Sequence, residues 1–285
     1  MLLLPILESL LNIENKEKNE AYLLMIILLI LSGEISFAES VDRIRLKDVQ
    51  FYKQKSLKNI KLGSLIYIVL IQIAQYNINT IKDMYLLTNT LAILANLAPT
   101  TTDLSASACQ RMLQTLDNLD KRIERLEAEK IATQDNQESK IDFELQLCSD
   151  FLNILLEVLN ILVVKHITSN LPLIYCMLHQ RDVLARIQQK DEYKDLMYNV
   201  SLVIDFFGSR IDDEMKLANQ GALTLESVQS IIHNTSLTWK NGGVRESSDL
   251  RFTYEEGMMQ YIAIHTRECQ CNIGFFFNLC RYRPF

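Results

Sequence analysis

Twenty consecutive residues, LGSLIYIVLIQIAQYNINTI (62–81), pass without a charge, and FLNILLEVLNILVV (151–164) carries one. A third run, AYLLMIILLIL (21–31), has no charged or strongly polar side chain at all. Stretches of this kind belong either in a bilayer or in a protein interior. The third is too short to span, because about 20 apolar residues are needed to cross a hydrocarbon core. It stops at Ser32-Gly33-Glu34. The other two carry their polar groups at helical spacing: Ser64, Gln72, Gln75, Asn79 and Lys82 in one, Gln146, Asp150, Asn153, Glu157 and Asn160 in the other. Intervals of three and four put those groups on one face of a helix. A polar stripe argues for water on one side and protein on the other, and the uniformly apolar 21–31 helix is then expected to be the innermost.

Few residues could interrupt such helices. Glycine and proline together number twelve in 285 residues, where average usage would be roughly 12%. β-Sandwiches and dinucleotide-binding folds need more turn residues than that, so the expected class is all-α. Helices are expected at about 2–14, 17–32, 36–45, 58–78, 81–97, 104–132, 139–167, 171–188, 192–214 and 224–234. Capping chemistry supports several starts: Thr80 with Asp83, Asp103 before LSASACQRML, and Thr224 before LESVQSII. WKNGGVRESSD (239–249) reads as a loop. Met112, Leu116, Leu119, Ile123 and Leu126 alternate in steps of four and three, the seam of a long amphipathic helix that projects partly into solvent.

Amphipathic helices joined by short loops need neighbours to cover their apolar faces. An irregular helical-repeat solenoid of antiparallel helices, HEAT- or armadillo-like, satisfies this over residues 1–256. No strict period is visible, and LLILSGEISFAES (28–40) and AILANLAPTTTDLSAS (92–107) share only an outline, so an irregular bundle is the alternative. Residues 257–285 form a divergent tail.

The charge of −6 disfavours nucleic acid as a partner. No GxGxxG, P-loop or HExxH is present, so neither a cofactor nor a small-molecule substrate is implied, and the chain is expected not to be an enzyme. Cys176 and His179, spaced i, i+3, have the spacing of a nucleophile and its base, but a core thiol beside a helix-end histidine has the same pattern. His265, Cys269, Cys271 and Cys280 crowd the tail, yet Cys-x-Cys is not the spacing of structural zinc sites. Cys109, Cys148 and Cys176 sit among apolar neighbours and read as buried thiols. The first fifteen residues lack the basic start of a secretory signal, which makes a reducing cytosolic setting the default and leaves the sequons at Asn199 and Asn234 without meaning. In TNTLAILANL, Thr88, Asn89 and Asn96 lie at helical spacing, and Asn89 and Asn96 are the candidate partner-binding residues. Such amides can bind a partner's backbone or a neighbouring helix end.

PILESL (5–10), YLLMIILLILS (22–32), LGSL (62–65), IQIAQYN (71–77), YLLTNTLAILANL (85–97), NLPLIYCMLHQRDVL (170–184), NVSLVIDFFGSR (199–210), LTLESVQSII (223–232) and LRFTYEE (250–256) stand in one order. Together they resemble the dymeclin family over residues 2–256, in the C-terminal part of its longer members. The resemblance implies a non-enzymatic, cytoplasmic protein peripherally associated with the Golgi apparatus, supporting Golgi organisation and vesicle trafficking with golgin-type partners. Family members also carry an N-terminal glycine suited to myristoylation, and Met1-Leu2 offers none. An integral membrane protein of the secretory pathway and a Cys/His metal-binding protein are the alternatives.

Overall fold

The computed structural model describes residues 3–15, 18–132, 138–217, 224–240, 243–247 and 252–253. The tail expected from residue 257 lies outside them, as do His265, Cys269, Cys271 and Cys280. Eleven α-helices run through the described residues: α1 (Leu3–Leu11), α2 (Lys18–Ser32), α3 (Ile35–Arg43), α4 (Leu62–Tyr76), α5 (Met84–Leu97), α6 (Ala106–Ala132), α7 (Glu138–His166), α8 (Leu171–His179), α9 (Arg181–Gln188), α10 (Lys194–Leu217) and α11 (Leu225–Thr238). The all-α expectation holds with one addition. Residues 45–61 form an antiparallel hairpin, β1 (Arg45–Asp48) against β2 (Lys58–Lys61), in which Leu46 faces Ile60 and both are buried.

Most helix starts and ends fall within a few residues of those expected. The exceptions have local causes. The 58–78 helix begins only at Leu62, because Lys58–Lys61 is a strand. A π-turn at Asn77–Ile81 extends α4 and ends on Lys82 in the left-handed region (φ 55°), so α5 starts three residues late and Asp83, not Thr80, caps it by accepting from Leu86 N at 3.0 Å. Asp103 is not a cap either: it has φ 50° and pairs with Arg45. Ser105 Oγ takes that role at α6, 3.3 Å from Ala108 N. Thr224 caps α11 as expected, bonding Ser227 N at 3.2 Å. The 171–188 helix is broken at Gln180 into α8 and α9.

The helices pack in two layers. Along one, α1 lies against α4, α4 against α6, and α6 against α8; along the other, α2 lies against α5, α5 against α7, and α7 against α10. Sequential partners α4 with α5 and α6 with α7 join the layers. Met112, Leu116, Leu119, Ile123 and Leu126 are all buried in this arrangement, while residues 127–132 of α6 extend into solvent.

The innermost helix is α4, not α2. Every α4 residue from Leu62 to Ile71 is buried, and two of its polar groups find partners inside: Ser64 Oγ accepts from Ser105 N at 2.9 Å and Gln75 Nε2 donates to Thr115 Oγ1 at 2.7 Å. A polar stripe can face a neighbour's hydrogen bonds as well as water. By contrast, Leu23, Ile27 and Ile30 of α2 are 59%, 43% and 50% exposed and form one stripe, opposite the side that packs on α5. At the Ser32-Gly33-Glu34 break, α2 and α3 meet at 97°. The segments Leu62–Ile81 and Lys140–Ser169 are long and apolar enough to cross a membrane, and 67% and 72% of their apolar windows are buried within the protein.

Candidate functional site

Asn96 buries its amide where α5 packs on α2. Asn96 Oδ1 accepts from the backbone N–H of Phe252 at 2.8 Å, and Nδ2 donates to the Phe252 carbonyl at 2.9 Å and to Ser32 Oγ at 3.0 Å. The pairing copies what an adjacent β-strand offers, donor and acceptor together, and it is blind to the side chain of the residue held. Phe252 is 8% exposed, its ring against the core.

A second amide does the same on α10. Asn199 Oδ1 accepts from Arg245 N at 2.8 Å, and Nδ2 donates to Arg245 O at 3.0 Å. The same Nδ2 reaches Asn160 Oδ1 on α7 at 2.9 Å. Asn96, Asn160 and Asn199 therefore stand in a row across three neighbouring helices, each amide at most 7% exposed. Crossing that row, Arg245 places its guanidinium 3.8 Å from the centre of the Tyr198 ring and 3.2 Å from Asp195 Oδ1. Arg245 and Phe252 are seven positions apart in the sequence.

Of the two sequence candidates, Asn96 joins this row and Asn89 does not; Asn89 Nδ2 bonds the Tyr85 carbonyl one turn back in its own helix, at 2.8 Å. Sequence reasoning missed Asn160 and Asn199. Asn160 was expected on a water-facing stripe, yet it is buried against α10, and Asn199 was set aside as an unused sequon. The available signal was an amide embedded in an apolar run, VLNILVV. Asn77 shows the local form of the same pairing, holding Asp83 N at 2.9 Å and Asp83 O at 2.6 Å within one loop. The α5 and α10 pairs differ in joining segments 156 and 46 residues apart.

Burial pushes the Cys109 thiol well up, and its neighbour is the Cys176 thiol on α8. His179 stacks on Tyr175, ring centres 6.3 Å apart, so the i, i+3 spacing does not bring it to Cys176. Among the described residues no three His, Cys, Asp or Glu side chains converge to hold a metal. A cleft of about 360 Å³ lies between α4 and α6, with Gln75, Asn79, Asn118, Arg122 and Arg125 on its walls. Arg122 is already committed to Asn79 at 2.7 Å and Glu144 at 3.2 Å. Burial works against ionising Glu144, but hydrogen bonds from Lys82 and Arg122 outweigh it and hold the carboxyl below the usual range.

The family profile described as Dymeclin, the Dyggve-Melchior-Clausen syndrome protein, matches residues 1–261. The chain belongs to the dymeclin family. Dymeclin of Gallus gallus is 32% identical over 263 residues, covering 90% of this chain and 38% of the relative. The Rattus norvegicus dymeclin is 30% identical over 262 residues, with 90% and 38% covered, and that of Drosophila melanogaster 28% over 264 residues, with 90% and 37%. The chain thus spans about two-fifths of the length of the curated dymeclins it matches. No solved structure matches. The dymeclin match runs five residues beyond the end expected at Glu256 and includes Asn96, Asn160 and Asn199 with Arg245 and Phe252.

Proposed function

We propose that this chain is a non-enzymatic scaffold of the secretory pathway, acting at the cytoplasmic face of the Golgi apparatus through protein–protein contacts on an armadillo-like helical-repeat surface. Family membership supports the setting, and the two-layer packing of α1–α10 supports the repeat architecture. The single observation that carries the contact mechanism is the pair of buried amides Asn96 and Asn199, each of which holds both the N–H and the carbonyl of a residue distant in sequence. Golgin-type partners follow from the family resemblance. The test is co-precipitation from cells expressing the tagged chain within its longest natural form. Golgi-matrix proteins should enrich, and Golgi morphology should change on knockout; an unenriched precipitate with normal morphology sinks the proposal.

A second reading, a membrane-integrated protein of the same pathway, draws on Leu62–Ile81 and Lys140–Ser169. Alkaline carbonate separates the two, since a peripheral scaffold is released to the supernatant and an integral protein stays in the pellet.

A further inference from the structure

We propose that the cleft between α4 and α6 binds a phosphorylated polyol, its phosphate on Arg122 and Arg125 and its hydroxyls on the amides of Asn118 and Gln75. The site goes beyond the scaffold reading, and its lining shares no residue with the asparagine row.

Two hydrogen bonds tie the walls together. Gln75 Nε2 donates to Thr115 Oγ1 and Arg122 Nη1 donates to Asn79 Oδ1, each at 2.7 Å. On α6 these two attachments stand seven residues apart, with Asn118 between them at spacings of three and four, hence on the same face. Arg125 continues that face by one more turn. The space enclosed is about 360 Å³, at the small end of the range for small-molecule sites, roughly 300–1,000 Å³. Ile78, Leu119 and Phe151 back it, all three buried. An apolar backing keeps the local dielectric low and strengthens the pull of the arginines on an anion.

The lining is rich in donors and short of negative charge. Two of its nine described residues are arginines and none is acidic. Glu144 pairs with Arg122 at 3.2 Å and also with Lys82, so three cations, Lys82, Arg122 and Arg125, stand against one carboxylate. Asn79 and Glu144 hold the Arg122 guanidinium in orientation and occupy two of its five N–H groups. Arg125 uses only Nε, on the Lys121 carbonyl at 3.1 Å, and its terminal nitrogens have no partner among the described residues. The same holds for the Asn118 amide and for Gln75 Oε1. Guanidinium forks match phosphate oxygens in pairs, whereas a carboxamide donates and accepts, as a hydroxyl does. A bare phosphate would leave the amides unmatched, and a bare polyol would leave the arginines uncompensated. A polyol carrying a phosphate satisfies both.

The test is isothermal titration calorimetry of the full chain with inositol monophosphate, inorganic phosphate and inositol. Inositol monophosphate should bind saturably and at least tenfold more tightly than inorganic phosphate, and inositol alone should not bind. Arg125→Ala, a change at an exposed position, should weaken that binding at least tenfold and leave the thermal midpoint in place. Asn118→Ala should weaken inositol monophosphate and leave inorganic phosphate unchanged. Lys121→Ala, on the same helix but outside the lining, should change neither. Absence of saturable binding, equal affinity for inorganic phosphate, or binding indifferent to Arg125 overturns the proposal. Nuclear magnetic resonance on the unaltered chain covers the case of an unstable variant: the side-chain amide signals of Asn118 and Gln75 should shift on titration, and unmoved signals refute the site. Flotation with phosphatidylcholine vesicles carrying phosphatidylinositol phosphate separates the two sources of such a ligand. Flotation that Arg125→Ala abolishes identifies a lipid headgroup, and a chain that stays in solution while binding the soluble compound identifies a free phosphorylated polyol.

Discussion

Asp120→Ala should damage this fold more than any other single change to a charge. Asp120 is 0% exposed, and its carboxylate accepts from Arg186 Nε at 2.7 Å and Lys190 Nζ at 2.6 Å. It therefore ties the middle of α6 to α9 and the link after it. Two charge-assisted hydrogen bonds, each about 1.5–3 kcal/mol, set a ceiling near 6 kcal/mol. Relaxation lowers the figure. Arg186 keeps its bond to Asp117 at 2.7 Å, and Lys190 keeps Glu124 at 3.5 Å. The two cationic side chains are 36% and 23% exposed, so neither is left stranded in a dry site. The expected loss is about 3 kcal/mol, the lower end for breaking a buried pair. Urea unfolding at pH 7 measures it as a lower midpoint at constant slope. Pairing the change with Arg186→Met in a double-mutant cycle isolates the coupling. A loss under about 1 kcal/mol would refute the claim that a desolvated carboxylate clamps these helices.

Burial pushes the Asp150 carboxyl up to about 6, against a lowering hydrogen bond from Gln146. A folded value above the unfolded one means that Asp150 costs stability at pH 7, that the cost falls as pH drops through 6, and that it vanishes below about 4. The full gap is worth about 3 kcal/mol, which solvent screening at a half-buried group cuts to about 1 kcal/mol; Asp150→Asn should gain that much at pH 7 and nothing at pH 4 in parallel urea melts. Gly63→Ala should stabilise by about 0.5 kcal/mol, because a Cβ there meets Val41 Cγ1 at an ordinary 3.6 Å; a lower thermal midpoint would contradict the spacing. Ile27→Gln should leave the midpoint unchanged, while Leu28→Ala, one residue on at 1% exposure, should cost about 2–4 kcal/mol. Equal effects would place α2 in the interior after all. Thr224→Ala should cost about 1 kcal/mol and fray the start of α11, seen as faster amide exchange at Ser227.

The helices were legible because 3-and-4 spacing is a property of each segment by itself; α7, expected at 139–167, spans Glu138–His166. What failed depended on neighbours. The hairpin has four-residue strands with one buried side chain in each, too few for a period of two to register. No glycine or proline marks the break at Gln180. The order of burial came out reversed, since α4 bonds Ser64 and Gln75 to α6 and its entry loop, whereas α2 has no described neighbour over Leu23, Ile27 and Ile30. Asn96 stood out as an amide in a helix of small and apolar residues, but its partner at Phe252 lies 156 residues away, beyond any local pattern. Asn160 and Asn199 answer to each other across two helices and were invisible for the same reason.

That separation also sets an order in time. Synthesis proceeds from the N-terminus, and α5 emerges long before Phe252. Until then the Asn96 amide has only Ser32 and water to bond, on a half-built surface. Contacts this distant in sequence form late, because the intervening chain must first be gathered in. Capture of Phe252 by Asn96 is therefore a late event, possible only once the residues up to Phe252 have been made. A newly made chain should pass through an interval in which α5 is folded and Asn96 still waits for Phe252.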